Sequence, residues 1–187
     1  MAQEVSRALA KTLRHKATVQ GFKITSDGWV EVDQLLKSDM YKRLGLTMET
    51  LRLEVETNAK KRFEFNAGET HIRACQGHSI PVAIDSMELL ALDTLPARVL
   101  HGTTEKAWEA IEQSGGLSRM GRQHIHMASG LSGEVISGMR KSCTVIISVD
   151  AARAIGDGVQ FYRSSNGAIL SPGLDGVIPM KYLTKLA

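Results

Sequence analysis

Three cationic or potentially cationic side chains follow one another in TLRHKA, where Arg14, His15 and Lys16 interrupt an otherwise ordinary amphipathic helical pattern. Val5, Leu9 and Leu13 supply an apolar stripe at i, i+4 and i+8, and Arg7, Lys11 and Arg14 fall on roughly the opposite side. Arg7 and Lys11 alone read as a solvated basic face. His15 fits that reading poorly, because the charge of an imidazole is uncertain near neutral pH. An Arg-His pair suits a phosphate instead: Arg offers a planar fork to two oxygens, and His donates a hydrogen bond or a proton.

Four other stretches carry similar chemistry. In IRACQGHS, Arg73 alternates with Ile72 and Ala74, so its side chain faces away from theirs. A strand arginine is as often an edge or surface residue, but Gln76, Gly77, His78 and Ser79 follow at once, and such a glycine lets a ligand approach the backbone. In LHGTT, His101, Gly102 and Thr103 stand where a strand enters a helix, a junction that favours an anion. In RQHIHM, His124 and His126 alternate with Ile125 and Met127 and share one strand face. Two such histidines are short of the three protein ligands that zinc requires, and His101 has no Cys, Asp or Glu near it at ligand spacing, so no metal is expected. Arg140, in ISGMRKS, taken alone is a surface cation beside Lys141.

The elements that must position these residues follow from periodicity and turn chemistry. A helix is expected from about Gln3 to Gln20. A Ser-Asp-Gly turn and the short strand WVEV come next, then a brief helix capped by Asp33 and running through Leu36 and Lys37. A second clear helix opens at Thr47 and runs to about Lys60. RFEFN and HIRACQ, joined by AGET, read as a hairpin. Three helices followed by a two-stranded ribbon is the outline of a winged helix. The acidic, leucine-rich run before Pro96 reads as a connector, and RVLHG starts a new unit. A helix from Glu105 to Ser114, with Ala107, Trp108 and Ile111 inward and Gly115-Gly116 as its stop, leads into the strand-like runs HIHMA, CTVIISVD, VQFYRS and AILSPG, with a turn at Asn166-Gly167.

The chain's 187 residues, 43% of them hydrophobic, suffice for one large core or two small ones. A net charge of +3, spread evenly along the chain, excludes a basic tail as the carrier of nucleic-acid binding, so any anion site must be a local cluster. The two cysteines, Cys75 and Cys143, are too far apart and too few for a disulfide framework. No apolar run approaches the ~20 residues that span a bilayer, and the N-terminus lacks the apolar core of a secretory signal. An intracellular protein, cytoplasmic or nuclear and without membrane contact, is the expectation.

Taken in order, SRALAKTLRH, SDGWVEVDQLL, TNAKKRFEF, IRACQGHS, VLHGTT, RQHIHMASG, ISGMR, DGVQFYRSSNGAILSPG and IPMKYL resemble the NAD-dependent RNA 2′-phosphotransferase family through nearly the whole chain. The resemblance implies an α+β protein with a winged-helix RNA lobe over residues 1–92 and a β-rich, ADP-ribosyltransferase-like NAD lobe over residues 93–187. It maps the family's catalytic Arg-His-Arg-Arg set onto Arg14, His15, Arg73 and Arg140. It puts His101, Gly102, Thr103, His124, His126, Ser129, Phe161, Arg163 and Asn166 at NAD+, with either histidine of HIH as the equivalent of the family's second motif histidine. The late glutamate of typical ADP-ribosyltransferases has no counterpart in DGVQFYRS. That departure fits a nucleophile that is already an anion.

The resemblance implies a two-step chemistry on RNA bearing an internal 2′-phosphate, such as tRNA, acted on by a monomer. An internal 2′-phosphate of RNA displaces nicotinamide from NAD+, used as co-substrate. The neighbouring ribose hydroxyl then attacks the phosphorus, leaving 2′-OH RNA and ADP-ribose 1″,2″-cyclic phosphate. One rival keeps only the first step, as an ADP-ribose cap on terminal phosphates of RNA or DNA. Another makes Arg14, Arg52, Lys60 and Lys61 the contact face of a winged-helix regulator, which leaves HGT, HIH and Arg140 without a purpose.

Overall fold

The computed structural model describes residues 2–83, 87–139 and 142–186. Two compact units divide at residues 86 and 87, six residues before the expected boundary. The reason is a short strand in the presumed connector: Glu88–Leu89 pairs antiparallel with Arg163 and Tyr162, which ties this run to the second unit. Helix and strand mix in both units, as an α+β chain requires.

In the first unit, α1 covers Ala2–Lys11 and passes directly into a π-helical turn over Thr12–Lys16, so the regular helix ends well before Gln20. Val5, Leu9 and Leu13 are buried, as their spacing dictates. Thr12 is buried too. Its hydroxyl accepts from the Tyr41 phenol at 2.8 Å and donates to Gln20 at 2.7 Å, which fastens the π turn to the core. Burial pushes the Tyr41 phenol up to about 12, so it stays a donor at any ordinary pH.

Strand β1 (Val30–Glu31) feeds α2 (Val32–Lys37). This helix starts two residues earlier than expected and without a side-chain cap, because Glu31 is held in the ladder and Val32 N–H bonds the Thr70 carbonyl. Asp33 therefore lies in the first turn and pairs with Lys37 at 2.7 Å. A further helix, α3 (Asp39–Arg43), brings in buried Tyr41. Thr47 caps α4 (Met48–Thr57) in a capping box with Thr50. Strands β2 (Phe63–Phe65) and β3 (His71–Ala74) form the expected hairpin, and β1 adds on the other side of β3. Full burial of Leu9, Leu13, Leu35 and Leu51 stabilises this unit by about 1.5–3 kcal/mol each.

In the second unit, β4 (Glu88–Leu89) is followed by β5 (Leu100–Thr103), α5 (Glu105–Gln113, capped by Thr104) and β6 (Gly116–Ser118). Next come β7 (Ile125–Met127), β8 (Val145–Val149) and α6 (Ala151–Gly156). The chain closes with β9 (Tyr162–Arg163), β10 (Ile169–Ser171), β11 (Val177–Pro179) and β12 (Leu183–Leu186). The sheets are ordered β4-β9-β10-β7, β12-β8-β5 and β11-β6. Trp108, Met127, Ile147, Phe161, Ile169 and Tyr182 centre the core between them. The edge strands β5 and β7 meet at one point, where Leu100 and Ala128 exchange two backbone hydrogen bonds of 2.8 Å. Beyond that bridge they are no longer paired.

Candidate active site

The π turn carries Arg14 and His15 half-buried and leaves Lys16 exposed. A wider turn of this kind is a common feature of functional helices. The segment after β3 holds both residues. Ser79 N–H donates to the Arg14 carbonyl at 2.9 Å, and the Ser79 hydroxyl and His15 Nδ1 share a hydrogen bond of 2.9 Å. Gly77, at φ +93, lies under the Arg14 side chain: a Cβ there would sit 3.3 Å from Arg14 Nε and Cζ. The glycine thus makes room for the protein's own guanidinium and not directly for a ligand.

Arg73 occupies the outward face of β3, and Ile72 and Ala74 are buried on the other, as the alternation requires. Its strand packs against the π turn. Arg73 is held on three sides. Nε donates to Glu64 at 2.6 Å, Nη1 donates to the Asp27 carbonyl oxygen at 3.3 Å, and the guanidinium lies 4.3 Å from the Trp29 ring centroid. The Asp27 carboxyl, which accepts from the Thr25 hydroxyl at 2.7 Å, is kept below its usual range mainly by that bond and in part by Arg73. Arg140 and Lys141 lie outside the described residues.

In the second unit a cavity of about 820 Å³ opens where β5 and β7 part, lined by His101, Gly102, Thr103, Arg119, Arg122, His124 and His126 among others. His101 Nδ1 donates to the His126 carbonyl at 2.8 Å, satisfying a backbone acceptor that has left the ladder. A carbonyl cannot donate, so this bond fixes the proton on Nδ1. Arg122 Nη1 lies 3.4 Å from His126 Nδ1, which must accept and so keeps its proton on Nε2. His124 is buried edge-on against Tyr162, and burial, with a smaller contribution from Arg119, pushes its pKa down. The cavity's floor and helix side are apolar or small: Ala107, Ile111, Leu117 and Ile125.

Several of the expected contact residues also have other partners within the protein. Gly102 is required by packing, since a Cβ would lie 2.4 Å from Met139 Sδ and 2.9 Å from Cys143 Sγ. Phe161 is fully buried in the core, not on the cavity wall. Asn166 is buried in the turn after β9, where it accepts from Ser164 at 2.9 Å and donates to Ser137 at 3.4 Å. Arg163 is committed to Glu88 and to the Thr94 carbonyl. Ser129 is half-buried and outside the lining of the cavity. Arg52, in the contact face of the regulator reading, pairs through Nε with Glu69 at 2.7 Å. Among the described residues no group of three or more His, Cys, Asp or Glu side chains could hold a metal ion, and no helix is long and apolar enough to cross a membrane.

Ser79, Glu64, Trp29, Arg119 and Arg122 are the participants that motif reading missed. Glu64 was within reach, because the predicted hairpin sets it directly across from Arg73. Ser79 lay inside a quoted motif, but nothing local connects it with a histidine 64 positions away.

Fold and site together define a two-unit α+β protein with tethered arginine and histidine side chains in one unit and a ligand-sized cavity in the other. Residues 1–173 match the family model described as RNA 2′-phosphotransferase, Tpt1 / KptA family, and the chain belongs to that family of transferases. It is 45% identical over 185 residues to a protein of Schizosaccharomyces pombe described as a tRNA 2′-phosphotransferase, covering 97% of this chain and 50% of that one. It is 42% identical over 189 residues to tRNA 2′-phosphotransferase 1 of Bos taurus, covering 96% of this chain and 72% of the relative. A Flavobacterium johnsoniae protein described as an RNA 2′-phosphotransferase is 36% identical over 184 residues, with 98% and 96% covered. The chain thus spans half the length of one relative and nearly all of another.

Proposed function

We propose that this chain transfers an internal 2′-phosphate of RNA, such as that of a tRNA splice junction, to NAD+, releasing nicotinamide, 2′-OH RNA and ADP-ribose 1″,2″-cyclic phosphate. In this reading the first unit is a winged-helix RNA lobe and the second an ADP-ribosyltransferase-like NAD lobe. The observation that carries it is the tethered Arg14, His15 and Arg73 set, in a chain of the 2′-phosphotransferase family.

NAD+ enters as a substrate whose nicotinamide-bearing ribose carbon takes the phosphate and whose neighbouring hydroxyl closes the cyclic product. The cavity suits such a ligand: the guanidinium groups of Arg119 and Arg122 and the hydroxyls of Thr103, Thr104 and Ser118 fit a diphosphate with its sugars, and the apolar floor fits a flat ring. His101 and His126, each with a fixed tautomer, would orient ribose hydroxyls.

Arg14 and Arg73 neutralise the 2′-phosphate dianion and the charge that grows on it as the phosphorus is attacked. One such preorganised donor is worth about 3–4 kcal/mol. His15 gives the proton to the departing RNA 2′ oxygen from Nε2, and the Ser79 hydroxyl, which shares a hydrogen bond with Nδ1, holds the ring.

The test is incubation of purified protein with NAD+ and a short RNA bearing one internal 2′-phosphate. Loss of that phosphate with release of the cyclic product is expected, and folded protein that leaves it in place overturns the reading. Accumulation of an ADP-ribosylated RNA terminus faster than dephosphorylation would favour the capping alternative.

A further inference from the structure

Arg73 presents a chemical contradiction if it binds a phosphate, because two acids already face it. Glu64 takes Nε at 2.6 Å and the Asp27 carboxylate stands 3.9 Å from Nη1, with the Arg73 side chain only 14% exposed. An ion pair built for stability alone would use the strongest geometry, a carboxylate spanning two nitrogens of the fork. Here each contact addresses a different part of the group. Glu64 takes the Nε edge, the Asp27 carbonyl takes one Nη1 proton, and Trp29 covers one π face. Five N–H groups in a rigid plane cannot rotate once an edge and a face are fixed. The end-on Nη1–Nη2 edge is then the one left to grip two oxygens of an anion.

Building on the function proposed above, we propose that Glu64 is a positioning residue: it holds Arg73, against the Trp29 ring, in the one orientation that presents the end-on edge of its guanidinium to the RNA 2′-phosphate. The cross-strand register makes this possible, since Glu64 and Arg73 are direct partners in the β2–β3 ladder and meet on its outward face. What the phosphate gains is a guanidinium whose rotamer entropy is already spent. Trp29 contributes a platform that leaves every N–H available for hydrogen bonding.

The experiment is a double-mutant cycle of Glu64→Ala with Arg73→Ala, beside Glu64→Gln, whose side-chain carbonyl still accepts from Nε. The readouts are kcat/KM for 2′-phosphorylated RNA, KM for NAD+, and binding of that RNA, against its unphosphorylated twin, without NAD+. Glu64→Ala should lower kcat/KM and phosphate-dependent binding about tenfold and leave KM for NAD+ unchanged. Glu64→Gln should restore most of the loss, and Glu64→Ala should cost nothing further once Arg73 is alanine. Multiplying losses in the double variant, or Glu64→Gln as damaging as Glu64→Ala, overturns the inference. If Glu64→Ala does not fold, Glu64→Asp, which withdraws the acceptor by one methylene, replaces it, and undiminished binding there overturns the inference too. Wild-type protein that prefers phosphorylated RNA but releases no cyclic phosphate would end the proposed function and leave the role of Glu64 readable in binding. No preference at all would overturn both.

Discussion

The two units arrange their cationic side chains in opposite ways. In the first, the cationic groups are tied to protein partners before any ligand arrives: Arg73 to Glu64, Asp27 and Trp29, and His15 to Ser79, with Arg14 laid over Gly77. In the second, a space of about 820 Å³ comes first, and the polar groups stand around its wall. A small, doubly charged group rewards fixed donors, because its binding energy is concentrated in a few directional bonds. A large dinucleotide rewards volume and a mixture of polar and apolar surface. The difference predicts that variants in the first unit act on phosphate chemistry and variants in the second act on NAD+ affinity.

The largest effect should come from Arg14→Ala or Arg73→Ala. Each is expected to lower turnover of 2′-phosphorylated RNA by about 100- to 1,000-fold with NAD+ affinity unchanged, measured by single-turnover kinetics and calorimetry. Arg14→Ala should slow both steps. His15→Ala, in contrast, should slow mainly the second step, so that ADP-ribosylated RNA builds up on a gel. Equal slowing of both steps would break the division of labour between the two neighbours.

Gly102→Ala tests the other side of the comparison. The added Cβ collides with Met139 and Cys143 and must push them aside, as overpacking that costs roughly 1–3 kcal/mol. Melting temperature should fall by several degrees, and NAD+ affinity should weaken about tenfold as Cys143 and its neighbours in the cavity lining shift. Binding of phosphorylated RNA should stay as it was. Ser79→Ala should do the reverse on a smaller scale: it removes the Nδ1 tether of the His15 ring, reducing the rate of the second step a few-fold without changing the melting temperature or NAD+ affinity.

The smallest expected effect concerns His124. Its pKa is held below the ordinary 6.5 by burial. Below pH 6.5 the unfolded chain takes up a proton that the folded chain refuses, so stability falls as pH falls from 6.5 toward the depressed value. Denaturant titrations at stepped pH should show this slope in the native protein and a shallower one in His124→Gln.

Local rules reached far in some places and failed in identifiable ones. The Thr47 cap, the β2–β3 hairpin, the helix after Thr104 and the outward aim of Arg73 follow from side-chain chemistry within a few residues, and each is present. Strand β4 was hidden because two exposed residues, Glu88 and Leu89, carry no alternation, and their only reason to be extended is pairing with β9. Helix α6 and strands β6, β11 and β12 went unread, because short segments take their conformation from partners far along the chain. The family resemblance placed Phe161 and Asn166 at NAD+, and a motif match carries no information on burial. Packing spends both on the core and on a buried turn.

By itself the sequence determined the chemistry on offer: an Arg-His pair on a helix, an arginine on the polar face of a strand, histidines around a glycine, and an even charge that confines any anion site to a cluster. Residue type and short-range period are sufficient for that, since donor geometry and strand alternation are local properties. Only the tertiary structure decided which groups restrain one another. Ser79 meets His15 because the segment after β3 packs on a π turn, and His101 meets the carbonyl of His126 because two sheet edges touch once and then separate. Such contacts join residues tens of positions apart, and hydrogen-bond satisfaction of a folded backbone, not any local preference, selects them.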